Sequence, residues 1–334
     1  MKKIKIQQHN IKNIELVLPQ FNLNYNQEFP EIHDKKIKRI KEHLGFSKHF
    51  ICDQETYASD LAIDALKNIF KNFDSKKLDA LIVISPSPDF LAPSMSFLIH
   101  QKLNLHNDLI MIDKFGFCTS ITQGIFEAFT ILNNENINNV AIVYTSVINK
   151  KINDTNFFMY SSDSACAILI EKANVYHKCT YAEQNFSDCT LKETLPMTCY
   201  KEGINELKIN NDIFFNFTQE KLPIFFDLFL DDGNTPDFYL LHSPNKFTYF
   251  QLISKLNIEK NKIPSVFAFE KFGFLNANSI MFDLFLNQHL LGRKLLLMTQ
   301  GASISLNAIT LEIHKNTKIN LNFLNQGNNN AKRN

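Results

Sequence analysis

Two stretches of this chain recur at nearly one spacing, and that duplication limits the possible fold more than any other feature. Asp79-Ala80-Leu81-Ile82-Val83-Ile84-Ser85-Pro86 matches Asp237-Phe238-Tyr239-Leu240-Leu241-His242-Ser243-Pro244, 158 positions further on. The tetrapeptide Lys-Phe-Gly-Phe occurs at Lys114 to Phe117 and again at Lys271 to Phe274, 157 positions further on. Two matches at almost one offset imply a unit present twice, related by an approximate internal two-fold axis.

The apolar periodicity repeats with it. In the first unit helical spacing over 61–73 is followed by an apolar strand over 78–84, a helix over 93–102, a strand over 109–112, a helix over 119–132 and strands over 140–144 and 165–170. The second unit runs helix 222–230, strand 237–241, helix 247–256, strand 266–269, helix 278–286 and strands 294–299 and 308–313. This alternation places helices on the faces of a sheet in each unit. The expected division is residues 1–172 and 173–334, with 173–219 a connecting or lid region and 325–334 a disordered, Asn-rich tail.

Composition excludes several classes. Basic and acidic residues number 35 and 34, so no long-range field draws the chain to nucleic acid or to an anionic membrane. No apolar run is long enough to span a bilayer, and Met1 to Gln8 lacks the apolar segment of a secretion signal, so a cytoplasmic protein is expected. Six cysteines show no CxxC pair or other metal-like spacing, which predicts free thiols and no metal.

Cys118 follows the first Lys-Phe-Gly-Phe, where a strand gives way to a helix. Backbone N–H groups at a helix N-terminus favour a thiolate, so Cys118 is expected to have a lowered pKa and to react fastest of the six. His242 interrupts an apolar strand at its C-terminal end, where ligand sites collect in α/β sheets. A buried thiol and a hydrogen-bonded core histidine are the plain alternatives for the two.

These residues resemble the ketoacyl-(acyl carrier protein) synthase III branch of the thiolase-like condensing enzymes over about residues 34–315. The resemblance is carried by Ala58-Ser59-Asp60-Leu61-Ala62, Ser87-Pro88-Asp89-Phe90, Pro93-Ser94, Asp113 and Cys118 in the first half. Ser162-Asp163-Ser164-Ala165-Cys166-Ala167 is similar to the family's Gly-Asp-Gly-Ala-Gly-Ala turn, His242-Ser243-Pro244-Asn245 to its His-Gln-Ala-Asn, and Phe272-Gly273 with Ser279-Ile280 to its third active-site loop. It implies a thiolase-like five-layered α/β/α/β/α fold of duplicated units and a homodimer. It also implies a thioester-dependent acyltransferase working through a Cys118 acyl-enzyme, with His242 as general base or hydrogen-bond partner. Backbone N–H groups of Cys118 and the Gly301-Ala302 turn would hold the oxyanion. No bound cofactor is implied. An acyl-CoA or acyl-carrier-protein thioester would be substrate and partner.

The departures carry information as well. Phe274 occupies the family's asparagine position and cannot stabilise an enolate, so slow malonyl decarboxylation is expected, with transfer to an amine or hydroxyl as the alternative. Asn276 or Asn278 could supply the missing amide from a shifted loop, or simply cap the next helix. Phe247 stands where the family has an arginine, beside Lys246, so carrier recognition is expected to differ. A catalytically silent partner subunit is a further alternative, which retention of Cys118 and His242 disfavours.

Overall fold

The computed structural model describes residues 1–20, 34–149, 158–175, 177–186, 211–231, 233, 235–301 and 304–324. Along the chain run β1 (Lys2–Gln8), β2 (Asn10–Leu18), α1 (Asp34–Leu44), α2 (Ala58–Phe70), β3 (Ala80–Ser85), α3 (Met95–Leu103), β4 (Ile110–Phe115), α4 (Ser120–Leu132), β5 (Asn139–Ser146) and β6 (Ser164–Glu171). They are followed by β7 (His177–Asn185), α5 (Asn211–Leu230), β8 (Phe238–Leu241), α6 (Lys246–Lys255), α7 (Ala268–Phe272), α8 (Ser279–Leu286), β9 (Lys294–Gly301), β10 (Ser305–Glu312) and β11 (Lys318–Phe323). Among the described residues no helix is long and apolar enough to cross a membrane.

The strands form two sheets, in the orders β11-β2-β6-β5-β3-β4 and β1-β7-β10-β9-β8. The duplication is visible in the pairing. β2-β6-β5-β3 recurs as β7-β10-β9-β8, with two antiparallel neighbours followed by a parallel one in each sheet. The matching aspartates do the same work in both: Asp79 Oδ2 accepts the N–H of Asn139 at 2.9 Å, and Asp237 Oδ2 that of Lys294 at 2.9 Å. Each carboxylate thereby ties the start of its strand to the parallel neighbour.

Both faces of the central strands are buried, because successive side chains point to opposite faces. Ile82, Ile84, Ile142, Leu295, Leu297 and Ile309 turn inward onto α4 and α8, which lie between the sheets. Leu81, Val83, Ala141 and Val143 turn outward onto α2 and α3. Leu296, Met298, Leu306 and Ala308 do so onto α5 and α6. Five layers result: helices, sheet, helices, sheet, helices.

Three local expectations differ. The segment 266–269 is not a strand, and among the described residues the second sheet has no counterpart of β4; the second Lys-Phe-Gly-Phe ends α7 instead. The first copy closes β4, which is an exposed edge strand rather than a buried one. What the two copies share is their place before the central helices α4 and α8. Of the region 173–219, residues 187–210 lie outside the described residues, as does the tail 325–334; 211–219 belong to α5.

Gly273 is required by the turn after α7. It adopts φ +74° with ψ −168°, which is open only to glycine, and a Cβ there would lie 2.5 Å from the Tyr160 carbonyl. Gly273→Ala is therefore expected to destabilise the protein by about 2–3 kcal/mol or more, read by reversible chemical denaturation.

Candidate active site

β4 ends at Phe115, and Gly116-Phe117-Cys118-Thr119 lead into α4, so Cys118 sits just before the first turn of a central helix. It belongs to a buried cluster with Ile37, Phe46, Ile148, Met159, Tyr160 and Phe274. The thiol donates to Asn276 Oδ1 at 3.1 Å. Asn276 has φ +56°, a left-handed conformation that Asn tolerates better than most residues. That conformation, in the short turn Asn276–Asn278 before α8, brings the amide to the sulfur.

His242 follows the last residue of β8. Its N–H donates to the Met298 carbonyl at 2.9 Å and its carbonyl accepts from Gln300 Nε2 at 3.2 Å, which continues the β8–β9 pairing by one residue. The imidazole is buried with Nδ1 unpartnered, and its centroid is 5.6 Å from that of Phe274. Phe274 is thus a neighbour of both Cys118 and His242. Its own backbone is clamped, with its N–H on the Tyr160 carbonyl at 2.6 Å and its carbonyl accepting the Ser162 N–H at 2.8 Å. The Ser162 hydroxyl adds a bond to the Phe272 carbonyl. The serines that stand in the family's glycine-rich turn therefore hold this loop.

The other expected residues divide. Asn278 does not reach the thiol and does not cap α8 through its side chain; its Nδ2 donates to Ser164 Oγ at 2.9 Å. Gly301 ends β9 beside the nucleophile, since a Cβ on it would lie 3.0 Å from Thr119 Cγ2. Ala302 falls outside the described residues, as do Cys189 and Cys199. Asp113 serves the scaffold: its carboxylate accepts the Ser96 N–H at 2.9 Å and the Ser96 hydroxyl at the start of α3. Asn245 caps α6, accepting the Thr248 N–H at 3.0 Å. Phe247 stacks on His43 with centroids 4.7 Å apart, and with Lys246 lines an open cleft of about 620 Å³ between α1, α5 and α6. Sequence reasoning missed Tyr144, which is fully buried with its phenol near Cys118; in the sequence it looks like one more strand residue.

Electrostatics overturn one expectation. Burial pushes the Cys118 thiol up to about 12, outweighing the helix N-terminus that was expected to lower it. A dipole interaction at a helix end is worth at most about 2 kcal/mol, whereas removing an anion from water costs more. Burial likewise drives His242 down to about 3, so its imidazole is neutral at any ordinary pH. No hydrogen bond joins Cys118 to His242 among the described residues. The site holds a neutral thiol, a neutral imidazole and a carboxamide in an apolar surround.

Iodoacetamide should therefore alkylate Cys118 slowly at pH 7, with a rate rising about tenfold per pH unit towards pH 10 as the thiolate fraction grows. A rate independent of pH across that range would mean that the thiolate is already formed at neutrality.

No protein-family model matches the chain. It is 24% identical over 306 residues to a Campylobacter jejuni protein named as a 3-oxoacyl-[acyl-carrier-protein] synthase 3, covering 83% of this chain and 86% of that one. It is 24% identical over 264 residues to the beta-ketoacyl-[acyl-carrier-protein] synthase III of Limosilactobacillus reuteri DSM 20016, covering 74% and 80%. The crystal structure of a 3-oxoacyl-(acyl-carrier protein) synthase from Burkholderia xenovorans LB400 superposes with a TM-score of 0.87 at 17% identity, covering 96% of this chain and 99% of that one. The chain thus has the fold of the thiolase-like condensing enzymes, and its sequence resembles their ketoacyl-(acyl carrier protein) synthase III branch over most of its length.

Proposed function

We propose that the protein is a thioester-dependent acyl-transferring enzyme of the 3-oxoacyl-(acyl carrier protein) synthase III kind, with Cys118 as nucleophile and decarboxylative condensation as its second step. The observation that carries this reading is the Asn276 amide 3.1 Å from the thiol, in a site whose histidine is neutral. Acylation forms the Cys118 S–C bond, breaks the donor's thioester, and sends the thiol proton to the departing carrier thiol. A malonyl thioester then loses carbon dioxide. The enolate left behind attacks the acyl group, a C–C bond forms, the S–C bond breaks, and Cys118 leaves as a thiolate that regains a proton from solvent.

Magnitudes favour this step over transfer to an amine or hydroxyl. The latter needs a base, and a histidine with a pKa of about 3 is a poor one at neutral pH. The enolate needs hydrogen-bond donors, which a neutral imidazole and a carboxamide both provide. Asn276 supplies the amide that Phe274 lacks. On this proposal decarboxylation is efficient, in contrast to the slow decarboxylation expected from Phe274. Incubation with a panel of acyl-CoA and acyl-carrier-protein thioesters, followed by intact mass, should show one acyl group on the protein and none on Cys118→Ala. Unmodified protein with every donor would defeat the acyl-enzyme step.

The same reading includes a homodimer. β4 is a sheet edge whose Ile110, Met111 and Phe115 are exposed, and Phe90, Leu91 and Phe97 of the same half are exposed as well. An open, apolar edge strand invites pairing with another strand, and a second copy offers the same edge. Sedimentation velocity should give a dimer, and Ile110→Lys with Met111→Glu should give a monomer that keeps its fold. A monomeric parent protein would remove the dimer from the proposal.

A further inference from the structure

Tyr144 lies on β5 opposite Cys166 of β6 and Ile84 of β3, and it is wholly buried in the core cluster that also holds Ile84, Ile121 and Ala277. A phenylalanine would pack equally well there. A buried hydroxyl without a partner costs stability, so its presence calls for a reason. Among the described residues the Tyr144 hydroxyl closes no hydrogen bond of ordinary geometry, and neither does Ser146 Oγ or Asn278 Oδ1. These atoms gather at one place. Tyr144 and Ser146 share a face of β5, Ser146 pairs with Ser164, and Ser164 Oγ holds Asn278 Nδ2 at 2.9 Å. The Asn276–Asn278 turn packs on β5 and β6 at this point, and the groups nearest the Tyr144 oxygen are the Ala277 N–H and the Ser146 hydroxyl, neither of them in ordinary hydrogen-bond geometry, with Cys118 within electrostatic range.

In the free protein the Asn276 carbonyl oxygen takes the thiol proton of Cys118. Acylation replaces S–H by S–C and carries that proton away, which strips the carbonyl of this donor. A buried carbonyl left unpaired would let the amide rotate, and the amide's other end must face the incoming thioester. We propose that Tyr144 is a positioning residue, whose hydroxyl donates to Asn276 Oδ1 once Cys118 carries an acyl group and so keeps Nδ2 turned towards the enolate. The role rests on the acyl-enzyme reading above, but its physical core is a donor that gains an acceptor when S–H is lost.

Tyr144→Phe tests it in two ways. In a thermodynamic cycle, the substitution should leave the melting temperature unchanged or higher when Cys118 is present, because it removes an unpaired hydroxyl. In the Cys118→Ala background, where the S–H is absent, it should lower the melting temperature by about 2 °C or more. Adding Asn276→Ala should abolish that reversal. In turnover, Tyr144→Phe should lower kcat for malonyl-thioester decarboxylation about tenfold, with KM and the rate of Cys118 acylation little changed. An effect of the same sign in both backgrounds, or a Tyr144→Phe protein less stable than its parent, would overturn the proposal. A reversal seen in a protein that no thioester acylates would leave Tyr144 its role and defeat the acyl-enzyme reading instead.

Discussion

Asn276→Ala is expected to slow decarboxylation of a malonyl thioester by about 10²–10³-fold, the effect of removing one preorganised oxyanion donor, about 3–4 kcal/mol. The mechanism confines the loss to one half-reaction. On the proposed mechanism, acylation of Cys118 would place its oxyanion elsewhere, at the backbone N–H groups of Cys118 and the β9 end, so the acylation rate should change by much less. Phe274→Asn should give little gain, because the amide it would introduce is already present in Asn276. Decarboxylation assayed by release of carbon dioxide, with acylation followed by intact mass, separates the two steps. An Asn276→Ala protein that decarboxylates at the parent rate would return the second substrate to an amine or hydroxyl.

Acid sensitivity is the second large effect. His242 and His49 are buried and held at about 3 and about 4, below the ordinary histidine value, chiefly by desolvation. Unfolding restores the ordinary value, so the unfolded chain binds more protons below about pH 6.5 and stability falls as pH drops from there. Each histidine contributes about 1.4 kcal/mol per pH unit in this window. Asp283 acts in the opposite direction. Burial raises its carboxyl to about 8, so the folded protein holds a proton that the unfolded chain loses above about pH 4, and acidification towards that value strengthens the fold by a similar amount per unit. The three together leave a net loss of about 3 kcal/mol between pH 6.5 and 4. His242→Gln should make the curve markedly shallower, since His49 and Asp283 then oppose each other and His9, also lowered by burial, remains. Urea denaturation of both proteins at pH 4, 5, 6 and 7 reads this directly. A His242→Gln curve as steep as the parent's would mean that the imidazole is charged, or solvated, in the folded state.

Some of the site was legible in residues and some was not. Cys118 and His242 were marked by place: one opens a helix after a strand, and the other interrupts an apolar strand at its end. Asn276 and Asn278 were indistinguishable in sequence, two residues apart before the same helix. A positive φ at Asn276 turns its amide to the thiol, while Ser164 holds that of Asn278. Tyr144 carried no sequence mark, because a tyrosine in a strand ordinarily reads as packing.

Local order was decided by the chain itself. Alternation of helix and strand, the doubled Asp-to-Pro strands and the side-by-side burial of their two faces follow from side-chain periodicity, which is a property of neighbouring residues. Charge state was decided by the fold. A helix N-terminus can be read from sequence and argues for a thiolate, but the apolar residues clustered with Cys118 come from α1, from Ile148, Met159 and Tyr160, and from the loop at Phe274, far apart in the chain. Only their convergence removes water from the sulfur and the imidazole. Desolvation grows with how completely distant segments close over a group, and no local pattern encodes that closure.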